Sequence, residues 1–381
     1  MVGRGGGQPA DGVMPPTAGS PHRGDRGDER SSDRTREGAP QQGTTAEAQG
    51  QPDRSDVSLR ALLWLLRAGP VLILIILILI IASLIPVFLT PRNIGNVLAQ
   101  SAVISVLALG QLLVILTRGI DLSVGSTLAL STVVGAMVFQ STDSSPAVMA
   151  AMLGAGLAVG LLNGLLFVKG RIPHPFIVTL AMLTFARGVA LWLSEGRPIQ
   201  GMPPVVRTIG GGSVFEWLPV STFVVVAAAL AVAILTTRVV WGRWIYAVGG
   251  NPEGARRAAI PTSAVLISVY ALCGLAAGVA GLLTAGRTNA GAPTFGALSE
   301  LDAIAAVIIG GASFLGGRGH VGNALVGAAM IGVIRNAMNL ANLDSYYQLM
   351  VVGVVIVVAV ELDVWRSRLE ARVRVIRAAR A

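Results

Sequence analysis

From about residue 62 onward the chain is a succession of apolar runs, each about as long as a bilayer is thick. Between Val71 and Ile81 every residue is aliphatic. A helix rises about 1.5 Å per residue, so some 20 apolar residues cross roughly 30 Å of hydrocarbon. Of 381 residues, 53% are hydrophobic and 13% charged, a balance that a water-soluble domain of this size could not carry on its surface. The natural solvent is a lipid bilayer. Ten spans are expected, at 62–89, 96–117, 124–141, 147–169, 175–194, 220–237, 263–284, 302–316, 321–341 and 346–363. The eighth is short and glycine-rich and is expected to be broken or tilted. Helices are favoured over strands because the runs are continuously apolar, whereas a membrane barrel alternates over segments of about ten residues. The expected fold class is all-α and polytopic.

Residues 1–60 are of a different kind, rich in Gly, Pro, Ser, Gln, Arg and Asp and nearly free of aliphatic side chains. Such a segment cannot bury enough apolar area to offset its ordering entropy, and it is expected to be a disordered cytoplasmic tail. The membrane domain then occupies 61–363, and a basic tail 364–381. Net charge is +9, yet Lys169 is the single lysine. The arginines fall in tails and short loops and form no basic face interleaved with aromatics, which argues for membrane orientation and against nucleic acid. With the N-terminus inside, inner loops carry Arg118, Lys169, Arg171, Arg238, Arg243, Arg256, Arg257 and Arg318, and the C-terminal tail adds six more arginines. Glu195, Glu216, Glu300 and Asp344 dilute the positive residues of the outer loops. Both termini are therefore expected in the cytoplasm, which requires an even number of crossings. Five spans precede the long loop at 195–219 and five follow it, so the halves enter the membrane in opposite senses, a common transporter plan.

Several chemistries lack their residues. A phosphate-binding P-loop needs a lysine followed by Ser or Thr, and Lys169 is followed by Gly170. A GxGxxG match at Gly317, Gly319 and Gly322 has membrane spans on both flanks and no preceding strand, which favours tight turning between packed helices over dinucleotide binding. Three histidines and one cysteine supply no four-ligand metal cluster and no internal disulfide. Cys273 lies inside an apolar span and reads as a small buried hydrophobe. No cofactor, metal or catalytic site is expected on this chain.

Two loops stand out. Gly119 to Ser126 reads GIDLSVGS, where Asp121 or Ser123 can cap the third helix or, as the alternative, help form a pathway wall. Between Arg238 and Thr262, Trp241, Trp244 and Tyr246 suit the membrane interface. After Gly249 and Gly250, Pro252 suits the first turn of a short helix, with Glu253 near its start and Arg256 and Arg257 near its end, as the helix dipole favours. That helix is either an ordinary positive loop or a docking element for another protein.

With the segments LDAIAAVIIGGASFLGGRG at 301–319 and SYYQLMVVGVVIVVAV at 345–360, these two loops resemble the ribose-type permease family of bacterial ABC importers, over roughly residues 60–363. The family often has Gly where Ala259 stands. The resemblance implies two permease subunits forming the pore, as a homodimer or a pair of homologues, two cytoplasmic ATPase subunits holding ATP and Mg, and an extracytoplasmic binding protein that delivers a monosaccharide. It also implies that Gly250, Asn251, Pro252, Glu253, Arg256 and Arg257 belong to a coupling helix, that the chain is a transport subunit and not itself an enzyme, and that it resides in the bacterial cell membrane.

Charges inside spans cost at least about 2.5–3.5 kcal/mol at the bilayer centre, so Arg187 and Arg335 must face protein, water or an anionic partner. Asp302 can cap the eighth span; Arg335 can pair with a carboxylate or line the pathway. Gln111, Asn163, Thr179, Asn336 and Asn339 can exchange hydrogen bonds with a hydroxyl-rich solute or join helices. Gly154, Gly156, Gly160 and Gly164 suit close helix approach. Pathway candidates are thus Gly119, Asp121, Ser123, Gln111, Asn163, Arg187, Asp302, Arg335, Asn336 and Asn339. The rival reading is an ion-gradient-driven secondary transporter, which usually carries intramembrane carboxylates or histidines to bind its coupling ion; here the spans offer little beyond Asp302.

Overall fold

A computed structural model describes residues 54–378 with the exception of residue 216. The expected tail at 1–60 lies outside the described residues up to 53. The helices are α1 (Arg54–Leu84), α2 (Pro91–Leu116), α3 (Val124–Thr142), α4 (Ser145–Lys169), α5 (Pro175–Leu193), α6 (Pro204–Gly211), α7 (Val220–Thr237), α8 (Val240–Gly250), α9 (Pro252–Arg257), α10 (Thr262–Thr288), α11 (Ser299–Ile309), α12 (Val321–Leu340) and α13 (Ser345–Ala378). Among the described residues, α2, α3, α4, α5, α7, α10 and α12 are long and apolar enough to cross a membrane, and shorter apolar stretches occur at Gly69–Leu84 and Tyr346–Val358. The domain limits at 60 and 363 fall inside α1 and α13.

Prolines set many of the boundaries. Proline stands in the first turn of α2, α4, α5, α6 and α9, where its missing N–H would have no intrahelical partner anyway. α4 is also capped by Ser144, whose hydroxyl accepts from Ala147 N–H. Strand structure among the described residues is limited to two-residue pairs, Ile199–Gln200 with Ala290–Gly291 and Ser213–Val214 with Leu218–Pro219.

α2 and α10 form the centre. They pack on each other, α2 further on α11 and α12, α10 on α3 and α4. The pattern is reciprocal: α3 packs on α4 and α5 as α11 packs on α12 and α13. This is the packing expected of two halves of opposite sense, and it appears in contacts where residue identities gave no internal repeat. α4 and α10 run antiparallel on glycine, since a methyl on Gly160 would collide with the backbone of Tyr270 and Gly274, and one on Gly164 with Ile267. Gly156 meets Gly274 and Gly278 in the same way, whereas Gly154 faces open space and takes no part in the seam. The outer faces of α1, α5, α7 and α13 expose Leu79, Phe185, Trp192, Leu230 and Val354. In lipid these side chains meet a matching solvent, so their exposure carries no hydrophobic penalty.

The eighth span is broken, as its shortness and glycines suggest, and its helix covers only part of the run at 302–316. Its helix, α11, ends at Ile309, and 310–320 is a loop in which Gly311, Gly316 and Gly317 have φ of +85°, +79° and +70°. At 11 residues α11 is about 16 Å long and covers only half a bilayer. α10 ends at Thr288, Asn289 turns left-handed (φ +52°), and the segment up to Leu298 (φ +64°) leads into α11. α2 ends similarly, with Arg118 left-handed (φ +67°) before the stretch that leads to α3. The eighth span is therefore interrupted, whereas the third is the continuous 19-residue helix Val124–Thr142, entered from α2 through the irregular stretch 117–123.

Candidate functional site

The residues singled out in the sequence separate into three places. The first is a polar cluster at the GIDLSVGS loop, entirely inside the bundle. Asp121, Ser123, Gln111 and Asn163 are at most 1% exposed. Asp121 Oδ1 accepts from Ser123 N–H at 2.8 Å and from the Ser123 hydroxyl at 2.6 Å, and Asn163 Nδ2 donates to the Ser123 hydroxyl at 2.8 Å. The Gln111 amide, oriented to satisfy both its atoms, donates to Asp121 C=O at 3.2 Å and accepts from Asp121 N–H at 3.1 Å. Thr179 of α5 donates to Ile120 C=O at 3.2 Å. Side chains thus bond the backbone of the irregular stretch between α2 and α3, which is how non-helical chain is tolerated inside such a bundle. Ser123 stands at the N-cap of α3 but makes no side-chain capping bond. Gly119 is needed because a side chain there would meet the Tyr270 hydroxyl.

The second place is a cavity of about 400 Å³ lined by residues of α2, α3, α10, α11, α12 and α13. Asp302, Arg335 and Asn339 line it, with Gln100, Ser299 and Gln348. Asp302 is not the cap of α11, a position held by Leu298; it lies in the first turn and pairs with Arg335, whose Nη2 is 2.7 Å from Oδ2 and 2.9 Å from Oδ1. Gln348 donates to Asn339 Oδ1 at 2.8 Å. Asn336, one residue beyond Arg335, faces away and exchanges two 2.9 Å bonds with Asn93, joining α12 to α2. Arg187 is not at the cavity either. Its Nη1 donates to the carbonyls of Pro293 and Phe295, the latter at 2.8 Å, and so holds the segment before α11. Glu300, placed among outer-loop charges by its position in the sequence, is 7% exposed in the first turn of α11, against Gly125.

The third place is the α8–α9 corner. Asn251 caps α9, its side chain accepting from Gly254 N–H at 2.9 Å. Glu253 and Arg257 form an exposed i,i+4 pair at 3.4 Å, and Arg256 is exposed as well. Such a pair stabilises the helix by only about 0.3–0.5 kcal/mol, so these charges are available to a partner. The corner is fastened from below. Arg118 donates through Nε to Gly249 C=O at 2.5 Å and through Nη2 to Gly250 C=O at 2.7 Å. Gly317 N–H bonds Leu116 C=O at 2.9 Å, and the Tyr246 hydroxyl bonds Gly319 C=O at 2.7 Å. Burial pushes that hydroxyl above the ordinary tyrosine range, which keeps it protonated as a donor. The ends of α2, α8 and α11–α12 therefore meet beneath α9. Arg118, Gly249 and Gly317 were not among the sequence candidates for coupling, and the GxGxxG match was the sole sign of the third strand of this knot.

The chain matches the family described as branched-chain amino acid transport system / permease component across residues 93–360. It is 38% identical over 308 residues to the ribose import permease protein RbsC of Escherichia coli (strain K12), covering 79% of this chain and 94% of that protein. Against RbsC of Bacillus subtilis (strain 168) it is 42% identical over 301 residues, 78% of this chain and 92% of the relative. The D-allose transport system permease protein AlsC of Escherichia coli (strain K12) is 38% identical over 297 residues, 77% of this chain and 90% of the relative. No solved structure matches the chain. With a family match over most of its length, and relatives of this identity aligned nearly end to end, the chain belongs to the branched-chain amino acid transport system / permease component family.

Proposed function

We propose that this chain is the membrane-spanning permease subunit of an ATP-binding-cassette importer for a monosaccharide. The observation that carries the reading is the pairing of a polar cavity inside an apolar bundle with an exposed, capped helix fastened to the ends of the cavity's own helices. Relatives named for ribose and D-allose transport support a monosaccharide. A cavity of about 400 Å³ stands near the low end of the roughly 300–1,000 Å³ usual for ligand sites, which suits one sugar ring better than several.

ATP and Mg are bound and hydrolysed in separate cytoplasmic ATPase subunits, which dock on α9 through Glu253, Arg256 and Arg257. A binding protein outside the membrane delivers the solute, and a second permease copy or homologue completes the pore. The α9 face is cytoplasmic, a side that the positive residues at that end of the bundle favour, and both termini lie on the same side in the cell membrane. The replacement of Glu253, Arg256 and Arg257 together by alanine tests the docking role. Recovery of the ATPase with the tagged permease and ATP-driven uptake should both fall sharply; if both stay at wild-type level, α9 is not the docking element.

A further inference from the structure

The start of the third span meets the start of the interrupted eighth. Gly125, in the first turn of α3, lies so close to Gly296 C=O and to Glu300 Oε2 that a methyl there would collide with both. The N-terminal ends of α3 and α11 thus come together inside the bundle. Transporters commonly bind solute where discontinuous helices leave their ends at membrane depth. The cavity lies beside this junction, with Leu128 of α3, Gly296 and Ser299 in its wall.

Asp302, Arg335 and Arg287 form the charged part of that wall, the first two as an ion pair. The carboxylate side chain is 5% exposed and the guanidinium 28%, so the arginine is the member presented to the cavity. Only Nη2 of Arg335 is engaged by Asp302, and its unpartnered Nε is closed to solvent, so a solute reaches the pair through the exposed part of the Arg335 side chain. The pair is charge-balanced and shares the wall with the neutral Gln100, Ser299 and Asn339, Arg287 being the remaining charge. An uncharged ligand whose adjacent hydroxyls both donate and accept can bond the neutral side chains and the exposed part of the pair together.

We infer that the Asp302–Arg335 pair is a solute-contacting determinant of a weak monosaccharide site within the permease, engaging adjacent ring hydroxyls of a neutral sugar. The inference rests on the importer reading above and adds to it a site on this chain, separate from the external binding protein. Asp302 orients the guanidinium, and Arg335 donates to the sugar. A weak site suits a passage that must release what it admits.

The test uses the assembled permease–ATPase complex in lipid nanodiscs, without the binding protein. The probes are ribose, allose, arabinose, xylose and galactose, and uptake of each is measured in parallel with the binding protein present. Saturation-transfer NMR should detect contact with the sugar that the wild-type complex takes up. Arg335→Gln and Asp302→Asn should weaken that binding about tenfold, as loss of one charge-assisted hydrogen bond does. The exchanged pair, Asp302→Arg with Arg335→Asp, should regain thermal stability without regaining sugar contact. Gln100→Leu, which leaves the ion pair intact, should also weaken binding. No sugar signal in a wild-type complex that performs ATP-driven uptake would overturn the inference alone, as would full recovery by the exchanged pair or unaltered binding in Gln100→Leu. Uptake that does not need the ATPase would instead remove the importer reading beneath it.

Discussion

Arg118 bonds the carbonyl of Gly249, 131 residues away in sequence, at 2.5 Å, and so ties the end of α2 to the corner that carries α9. One side chain also reaches Gly250 C=O at 2.7 Å. A displacement of α9 must therefore pull on α2, the helix at the centre of the bundle, or break a charge-assisted pair of bonds. Arg118→Ala should leave the permease folded and the ATPase bound, while ATP-driven uptake per ATP hydrolysed falls about tenfold, as expected from loss of a coupling of at least about 1.4 kcal/mol. Proteoliposomes in which hydrolysis and uptake are followed together provide the measurement. An unchanged ratio removes Arg118 from the coupling route.

Gly249 and Gly250 are adjacent yet should respond oppositely. A methyl on Gly249 would meet Leu116 C=O and Gly317 N, whereas nothing lies within 4 Å of one on Gly250. Gly249→Ala should cost about 1–3 kcal/mol through overpacking of backbone that cannot yield, and Gly250→Ala less than about 0.5 kcal/mol. Thermal unfolding of the two variants in the same detergent compares them.

On α4 the same contrast separates Gly160 from Gly154. Gly160→Ala forces α4 away from Tyr270 and Gly274, and Gly154→Ala replaces glycine by a better helix former facing open space. The first should lower the unfolding temperature by several degrees, and the second should raise stability by up to about 1 kcal/mol. Equal effects would contradict the antiparallel glycine seam.

Asn93 and Asn336 satisfy each other across α2 and α12 at 2.9 Å in both directions. Asn336→Leu alone should cost about 1–3 kcal/mol, because the Asn93 amide then loses a buried partner. Leucine at both positions should be markedly less harmful than the sum of the single changes, a coupling that a double-mutant cycle reads directly. Additive losses would mean that the pair is not a unit.

Asn251→Ala removes the side-chain acceptor for Gly254 N–H. Loss of such a cap costs about 1 kcal/mol, a large share of the stability of a six-residue helix. ATPase recovery with the tagged permease should fall, and Asn251→Ser, which restores a capping oxygen, should recover most of it.

The apolar spans and the short helix at 252–257 were legible because each rests on a strong local signal, run length for the first and the Asn251, Pro252, Glu253, Arg256 order for the second. The point where the eighth span's helix ends was not: AIAAVIIGGASFLGG stays apolar throughout, and hydropathy does not distinguish a helix from the loop that follows it. Arg118 read as one more positive loop residue, since charge shows which side of a membrane a loop occupies and not which carbonyl its side chain reaches. Asn336 and Asn339 were equivalent on paper; three positions along one helix put the first against Asn93 and the second in the cavity wall. Glu300 seemed an outer-loop charge because its burial depends on Gly125, 175 positions earlier, an approach that no local pattern encodes.

In the proposed importer this polypeptide supplies a route and takes its driving force from separate ATPase chains. The direct measurement is accumulation of a radiolabelled monosaccharide in proteoliposomes containing the permease, with and without its ATPase subunits, at matched proton and sodium gradients and with the binding protein supplied. Concentrative uptake should require the ATPase and ATP together and be indifferent to both gradients. Accumulation by the permease alone under an ion gradient would contradict the claim.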